Sequence, residues 1–199
     1  AMSNGLQGLQ APAAREPLRN AFGLSWALAC ACAAGLLVGA DAVAALLFGW
    51  GRMTPEALAQ VGSWARVGAW GLLPQALTAV GLTVLASQRR MAASAWLFAL
   101  ALAGLLAVGG AGLNDGASLM WALNAGYTLV AAGVMASVGR GVLACLPWPT
   151  LGLSLLALLG AAWWSPAGGA RPLAVGLAAA LFAALLVLAA GWAGWRRPR

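Results

Sequence analysis

The sequence predicts an all-α integral membrane protein, a bundle of six transmembrane helices plus a short interfacial helix, and three observations carry that expectation. First, the 199 residues are 63% hydrophobic and only 8% charged, whereas soluble domains carry a charged share of about 25%. Second, the charges leave six long gaps, residues 20–40, 67–88, 91–114, 116–139, 141–170 and 172–195, which are 21, 22, 24, 24, 30 and 24 residues long. A helix needs about 20 apolar residues to cross a bilayer, so each gap admits one crossing and none admits two. Lipid offers no partner to backbone polar groups, which selects helices, since a β-barrel would instead show short alternating segments.

The third observation is the placement of the arginines. All 11 cations are Arg against 4 acids, a net charge of +7, and there is no His. Threading the six helices alternately puts Arg15, Arg19, Arg89, Arg90, Arg140, Arg196, Arg197 and Arg199 on one side and Arg52, Arg66 and Arg171 on the other. Cytoplasmic loops carry the excess of Arg, so both termini are expected to be cytoplasmic. Asp41, Glu56 and Asp115 then fall outside and Glu16 inside. Trp96, Trp148, Trp192 and Trp195 lie near cytoplasmic ends, and Trp50, Trp64, Trp121, Trp163 and Trp164 near outer ends, so nine of the 11 Trp fit two interfacial belts. The basic charge forms no single patch, which argues against a nucleic-acid partner.

Along the chain, residues 1–16 are expected to be a loose N-terminal segment. The start Ala1-Met2-Ser3-Asn4 suggests either an engineered beginning or a piece of a longer protein. Residues 17–199 form the six-helix lobe, with spans about 17–39, 54–86, 91–108, 117–138, 147–164 and 172–195. The first gap is too long for the apolar region of a signal peptide and is expected to stay as a helix. Gly35 and Gly39 stand at GxxxG spacing, which permits close approach of a neighbouring helix. Residues 41–48 are too short to span, begin at an acid and end at Gly49-Trp50-Gly51, so they are expected to lie along the outer interface. Thr54-Pro55-Glu56 supplies a capping hydroxyl, a proline at the first helical position and an acid in the first turn. The helix that starts there exceeds the membrane thickness, and Pro74 should kink it. Ser87-Gln88-Arg89-Arg90 is a tight cytoplasmic turn, residues 109–116 an outer loop, and residues 165–172 another turn.

No catalytic constellation is visible, and the chain is not expected to be an enzyme. Without His, and with three of the four carboxylates at outer loops, a buried acid and base pair has no members. Cys30, Cys32 and Cys145 lack the spacing and company of a metal site, so no metal and no cofactor is expected. Polar residues inside helices are the remaining candidates. Gln75, Thr78 and Thr83 on the second helix, and Asn124, Tyr127 and Thr128 on the fourth, either line a cavity or hydrogen-bond between helices. Arg66, at a membrane boundary, either snorkels to water or meets a phosphate. The substrate-binding candidates are therefore Arg66, Gln75, Asn124 and Tyr127.

The stretch Ala45-Leu-Leu-Phe-Gly-Trp-Gly-Arg-Met-Thr-Pro-Glu56, followed by Gly71-Leu-Leu-Pro-Gln-Ala-Leu77 and Val84-Leu-Ala-Ser87, resembles the MurJ (MviN) lipid II flippases. Asn114-Asp-Gly-Ala-Ser-Leu119 and Leu123-Asn-Ala-Gly126 resemble the same family. The resemblance covers nearly all of this chain but only the final six of the family's roughly fourteen helices, one lobe of a two-lobe MOP-type flippase fold. It implies a bacterial inner membrane location, a part in flipping a lipid-linked peptidoglycan precursor by alternating access, and two partners: a polyprenyl-linked glycan and an N-terminal lobe. It also implies an apolar groove for a polyprenyl tail along residues 147–164 and 172–195. Two departures stand out. The family often has Asp-x-x-x-Pro at the cytoplasmic turn, where this chain has Ser87-Gln-Arg-Arg-Met91, and the family's pyrophosphate-holding charges sit mostly on the first lobe. No head-group site carries over. The alternatives are another MOP-superfamily exporter, of polyprenyl-linked glycans or drugs, and a non-transporting membrane scaffold.

Overall fold

The computed structural model describes residues 12–112, 115–164 and 172–195. Residues 1–11, Asn114, residues 165–171, where a turn with Arg171 was expected, residues Arg196, Arg197 and Arg199, and the Arg140 side chain lie outside that description. Every regular element among the described residues is a helix: α1 Pro12–Phe48, α2 Pro55–Ala69, α3 Leu72–Ser87, α4 Met91–Gly110, α5 Gly116–Val138, the single turn α6 Arg140–Leu143, α7 Trp148–Trp164 and α8 Leu173–Trp195. Four of them, α1, α4, α5 and α8, are long and apolar enough to cross a membrane, and α2 with α3 makes a fifth if the bent pair is one span. The chain is thus read as a multi-pass membrane protein. At 17 residues α7 is apolar but short.

α1 is two helices that meet at a kink at Gly39, with φ −118° and ψ 18°, so the short helix over residues 41–48 begins beyond a break where the sequence reading put one. Two boundaries differ from that reading. Residues 12–16, expected to be loose, already belong to α1; Ala-Ala-Arg-Glu is a run of good helix formers. The second difference is larger. The expected continuous helix over 54–86 is two helices bent by 47°, and the break falls at Trp70-Gly71 rather than at Pro74. A proline ring collides with the carbonyl four residues upstream and offers no N–H to it. For Pro74 that carbonyl belongs to Trp70, so the disruption appears one turn earlier and Pro74 sits harmlessly in the first turn of α3.

The caps follow local chemistry. Thr54 Oγ1 accepts from the Ala57 amide at 3.3 Å, with Pro55 at the first helical position and Glu56 beside it. Asp115 caps α5 by accepting from the Ser118 amide at 2.9 Å. The Ser118 hydroxyl, and then that amide, hold the Asp115 carboxyl below its ordinary value.

Small residues set how the helices meet. A side chain at Gly39 would strike Ala180 and lie 3.1 Å from the Gly176 carbonyl, and one at Gly176 would lie 2.6 Å from the Ala42 methyl. A side chain at Gly191 would lie 2.9 Å from the Ala27 methyl and 2.7 Å from Ser154 Oγ. The order of these pairs makes α1 and α8 antiparallel. Leu97 with Gly133 and Ala101 with Gly126 make α4 and α5 antiparallel too. By contrast, Trp64 with Gly116, Gly68 with Met120, Gly71 with Asn124 and Gly81 with Val134 climb together, so α2 and α3 run parallel to α5. Gly23 against Pro147, and the Trp26 indole donating to the Leu151 carbonyl at 3.2 Å, set α1 parallel to α7. Consecutive long segments therefore alternate in direction.

Two apolar clusters fill the interior. One joins Phe22, Val84, Leu85, Val130, Val134 and Leu151, and the other joins Cys30, Ala34, Leu37, Ala69, Leu73, Leu158 and Val187. Trp26 packs against both. With Trp70, it is one of the two tryptophans that fit neither interfacial belt, and both have interior work.

Replacing Gly176 by Leu is expected to lower stability by about 1–3 kcal/mol through overpacking, read as a drop in thermal midpoint in detergent. Gly104→Leu, where nothing lies within 4 Å, should stay within about 0.5 kcal/mol of the parent. Because folding depresses the Asp115 pKa, its contribution is complete above the unfolded carboxylate value of about 3.9 and is lost as pH falls through the lower folded value. Asp115→Asn keeps an accepting oxygen without titration, so the acid limb of its stability profile should be flatter than the parent's.

Candidate functional site

The break between α2 and α3 frees backbone groups in the middle of an apolar bundle, where each needs a partner. The amides of Trp70 and Gly71 turn back three residues, to Val67 at 3.3 Å and Gly68 at 3.0 Å. The Val67 carbonyl would have accepted from Gly71 in an unbroken helix. It accepts instead from Asn124 Nδ2 at 2.7 Å. Asn124 is buried and stands on α5 against Gly71, where a side chain would collide with its amide oxygen and approach the Gly68 carbonyl to 3.2 Å. Glycine is required there by this close approach. The break is thus closed by one side chain from a neighbouring helix.

One turn further out, Arg66 in the last turn of α2 pairs with Asp41 of α1, with 30% and 48% of the two side chains exposed. Gly62, a turn before Arg66, is buried against Asp41 and lies 3.3 Å from its Cα by the place of a missing methyl. At this exposure an ion pair contributes about 0–1 kcal/mol. Its larger effect is to neutralise a cation at the edge of the apolar region and to tie the end of α1 to α2.

Of the four binding candidates, Arg66 and Asn124 both engage the last turn of α2, Arg66 by pairing with Asp41 of α1 and Asn124 by donating to the Val67 carbonyl from α5. Arg66 is paired with the Asp41 carboxylate and keeps 30% of its side chain exposed. Gln75 is exposed on the second turn of α3 and joins neither. Tyr127 lines an open apolar groove of about 150 Å³ between α4 and α5, with Phe98, Leu102, Leu105, Leu123 and Val130. Thr78, Thr83 and Thr128 donate to carbonyls one turn back in their own helices, Pro74, Ala79 and Asn124, at 2.8, 3.0 and 2.8 Å. Cys30 is buried, Cys32 exposed and Cys145 half-buried, all three as free thiols.

Sequence reading missed Asp41 as the partner of Arg66, although threading put both on the outer side, which was the available signal. It also missed Gly71, whose role depends on a helix 53 residues away in the chain. The groove expected along residues 147–164 and 172–195 is tightly packed over the half where a side chain at Gly194 would come within 2.8 Å of the Thr150 Cα and one at Gly191 within 2.7 Å of Ser154 Oγ.

Comparison of the chain with protein-family models, curated proteins and solved structures returns no match.

Asn124→Leu, which deprives the Val67 carbonyl of its shorter partner, is expected to cost about 1 kcal/mol, measured by denaturation in mixed micelles. Thr83→Val, on an exposed face, should change stability by less than about 0.5 kcal/mol.

Proposed function

We propose that this chain is one lobe of a flippase for a lipid-linked peptidoglycan precursor, working by alternating access in the bacterial inner membrane with both termini cytoplasmic. The observation that carries a transporter reading is the interrupted helix. Transporters build their substrate paths around membrane helices broken near the bilayer midplane, where unwound backbone faces a cavity or a neighbouring helix. Here the α2 and α3 pair is broken at Trp70-Gly71 and its freed carbonyl is held by α5 through a single replaceable hydrogen bond. Such a joint lets α2 swing relative to α3 without leaving many backbone groups unpaired.

The alternation of the six long segments supports six crossings, with α7 as the shortest. The lipid-linked glycan as substrate class comes from the resemblance of residues 45–56, 71–87 and 114–126 to the MurJ family. The Asp41 and Arg66 pair lies one helical turn before the break, where a phosphate oxygen can exchange with the carboxylate as the head group passes. An N-terminal lobe supplies the remaining head-group charges.

The test is translocation of fluorescent lipid II in proteoliposomes. The lobe paired with its N-terminal partner should flip the lipid, Arg66→Gln in that pair should slow flipping at least tenfold, and the 199-residue chain alone should show none. Robust flipping by the isolated chain, or an unaltered rate in the Arg66 variant, overturns this division of roles.

A further inference from the structure

The turn between α3 and α4 holds three features that chain geometry alone does not call for. The Arg90 amide donates to the Leu85 carbonyl and the Arg89 amide to Ala86, both at 3.0 Å, the paired bonds of a Schellman helix ending. That ending puts one residue in the left-handed region and strongly prefers glycine there. This chain puts Arg89 there, at φ 56°, the only non-glycine residue with positive φ among those described. Beside it, both amide atoms of Gln88 are buried with no hydrogen-bond partner among the described residues. Arg89 and Arg90 are exposed, and neither forms an ion pair among the described residues. Backbone strain retained at a residue that carries an exposed cation, beside a second exposed cation, points to an anionic ligand at the turn.

Further along the helix that follows this turn, at mid-helix, lies an apolar trough. Arg90 donates to the Ser137 carbonyl at 3.4 Å, which places it over the cleft between α4 and α5. The groove lined by Phe98, Leu102, Leu105 and Tyr127 lies in that cleft. Phe98 is eight residues beyond Arg90, about 12 Å along the helix, so the groove starts at acyl-chain depth within a leaflet about 15 Å thick. Leu97 packs on Gly133 between the two, and a chain passes over that contact on the lipid side. Residues of α4 are almost all open to lipid, with Ser94 the one buried side chain.

The geometry points to a binding site for an anionic phospholipid: phosphate between the Arg89 and Arg90 guanidiniums and one acyl chain in the groove between α4 and α5. The charge complementarity is direct, two unpaired cations against one phosphate, and arginines at a membrane surface attract anionic lipid. The site stands on membrane embedding alone and is independent of the flippase reading.

Native mass spectrometry of the purified chain, titrated with phosphatidylglycerol and phosphatidylcholine of identical acyl chains, tests it. The parent should retain phosphatidylglycerol preferentially, and each of Arg89→Gln and Arg90→Gln should lower the preference about fivefold. Arg89→Gly should lose the same preference while its thermal midpoint in lipid-free detergent rises, because glycine relieves the left-handed backbone. Gly126→Leu, which fills the groove, should weaken retention of both lipids alike. Arg52→Gln, at the opposite end, should leave the preference unchanged. Equal retention of the two lipids by the parent, an Arg89→Gly variant with parental preference, or an equal loss in Arg52→Gln would each overturn the assignment.

Discussion

Every part of this structure answers to one constraint: a backbone polar group in an apolar bundle must find a partner, and water is not available to be it. At the α2 and α3 break the constraint is met by two three-residue turns and by Asn124, whose amide reaches the Val67 carbonyl. Removing that bond would leave the carbonyl with one long, poorly placed donor. The bundle therefore holds α5 against the break by chemistry as well as by packing. The same constraint explains the hydroxyls of Thr78, Thr83 and Thr128, which turn back onto their own helices rather than project into lipid.

Where hydrogen bonding does not bring helices together, absence of side chains does. Lipid tails are as apolar as leucine, so association gains little from burying leucine and much from close backbone approach. Gly39 with Gly176, Gly81 with Val134, and Gly116 under the Trp64 indole are such approaches. Larger apolar residues are displaced outward: Leu100, Leu106, Leu156, Leu181 and Phe182 are exposed, as suits a surface solvated by acyl chains. Between these tight seams the long segments depart from straight helix at Gly39 and at Trp70-Gly71.

Local chemistry is legible along the chain itself. Thr54-Pro55-Glu56 announces a helix start, and Thr54 does cap α2. Gly35 and Gly39 announce a close helix neighbour, and α8 is that neighbour. Pro74 announces a disruption, but its ring acts on a carbonyl four residues upstream, and the observed break at Trp70-Gly71 sits there. The candidate site is legible only in part. Arg66 and Asn124 stand out as polar residues in an apolar chain, yet nothing near them in sequence names Asp41 or Val67 as their partners.

The sequence by itself determined an all-helical, multi-pass membrane chain, because the spacing of charges and the apolar composition act residue by residue and need no tertiary contact to express themselves. Helix starts and the existence of a break are of the same kind, set by caps and by a proline within one turn. Only the tertiary structure decided that Arg66 is neutralised by Asp41, that Asn124 seals the break, that Gln88 is left without a partner among the described residues and that the open groove lies between α4 and α5. Those outcomes depend on which faces of distant helices meet, and helices whose apolar residues run all the way round carry no periodic stripe to say which face turns inward.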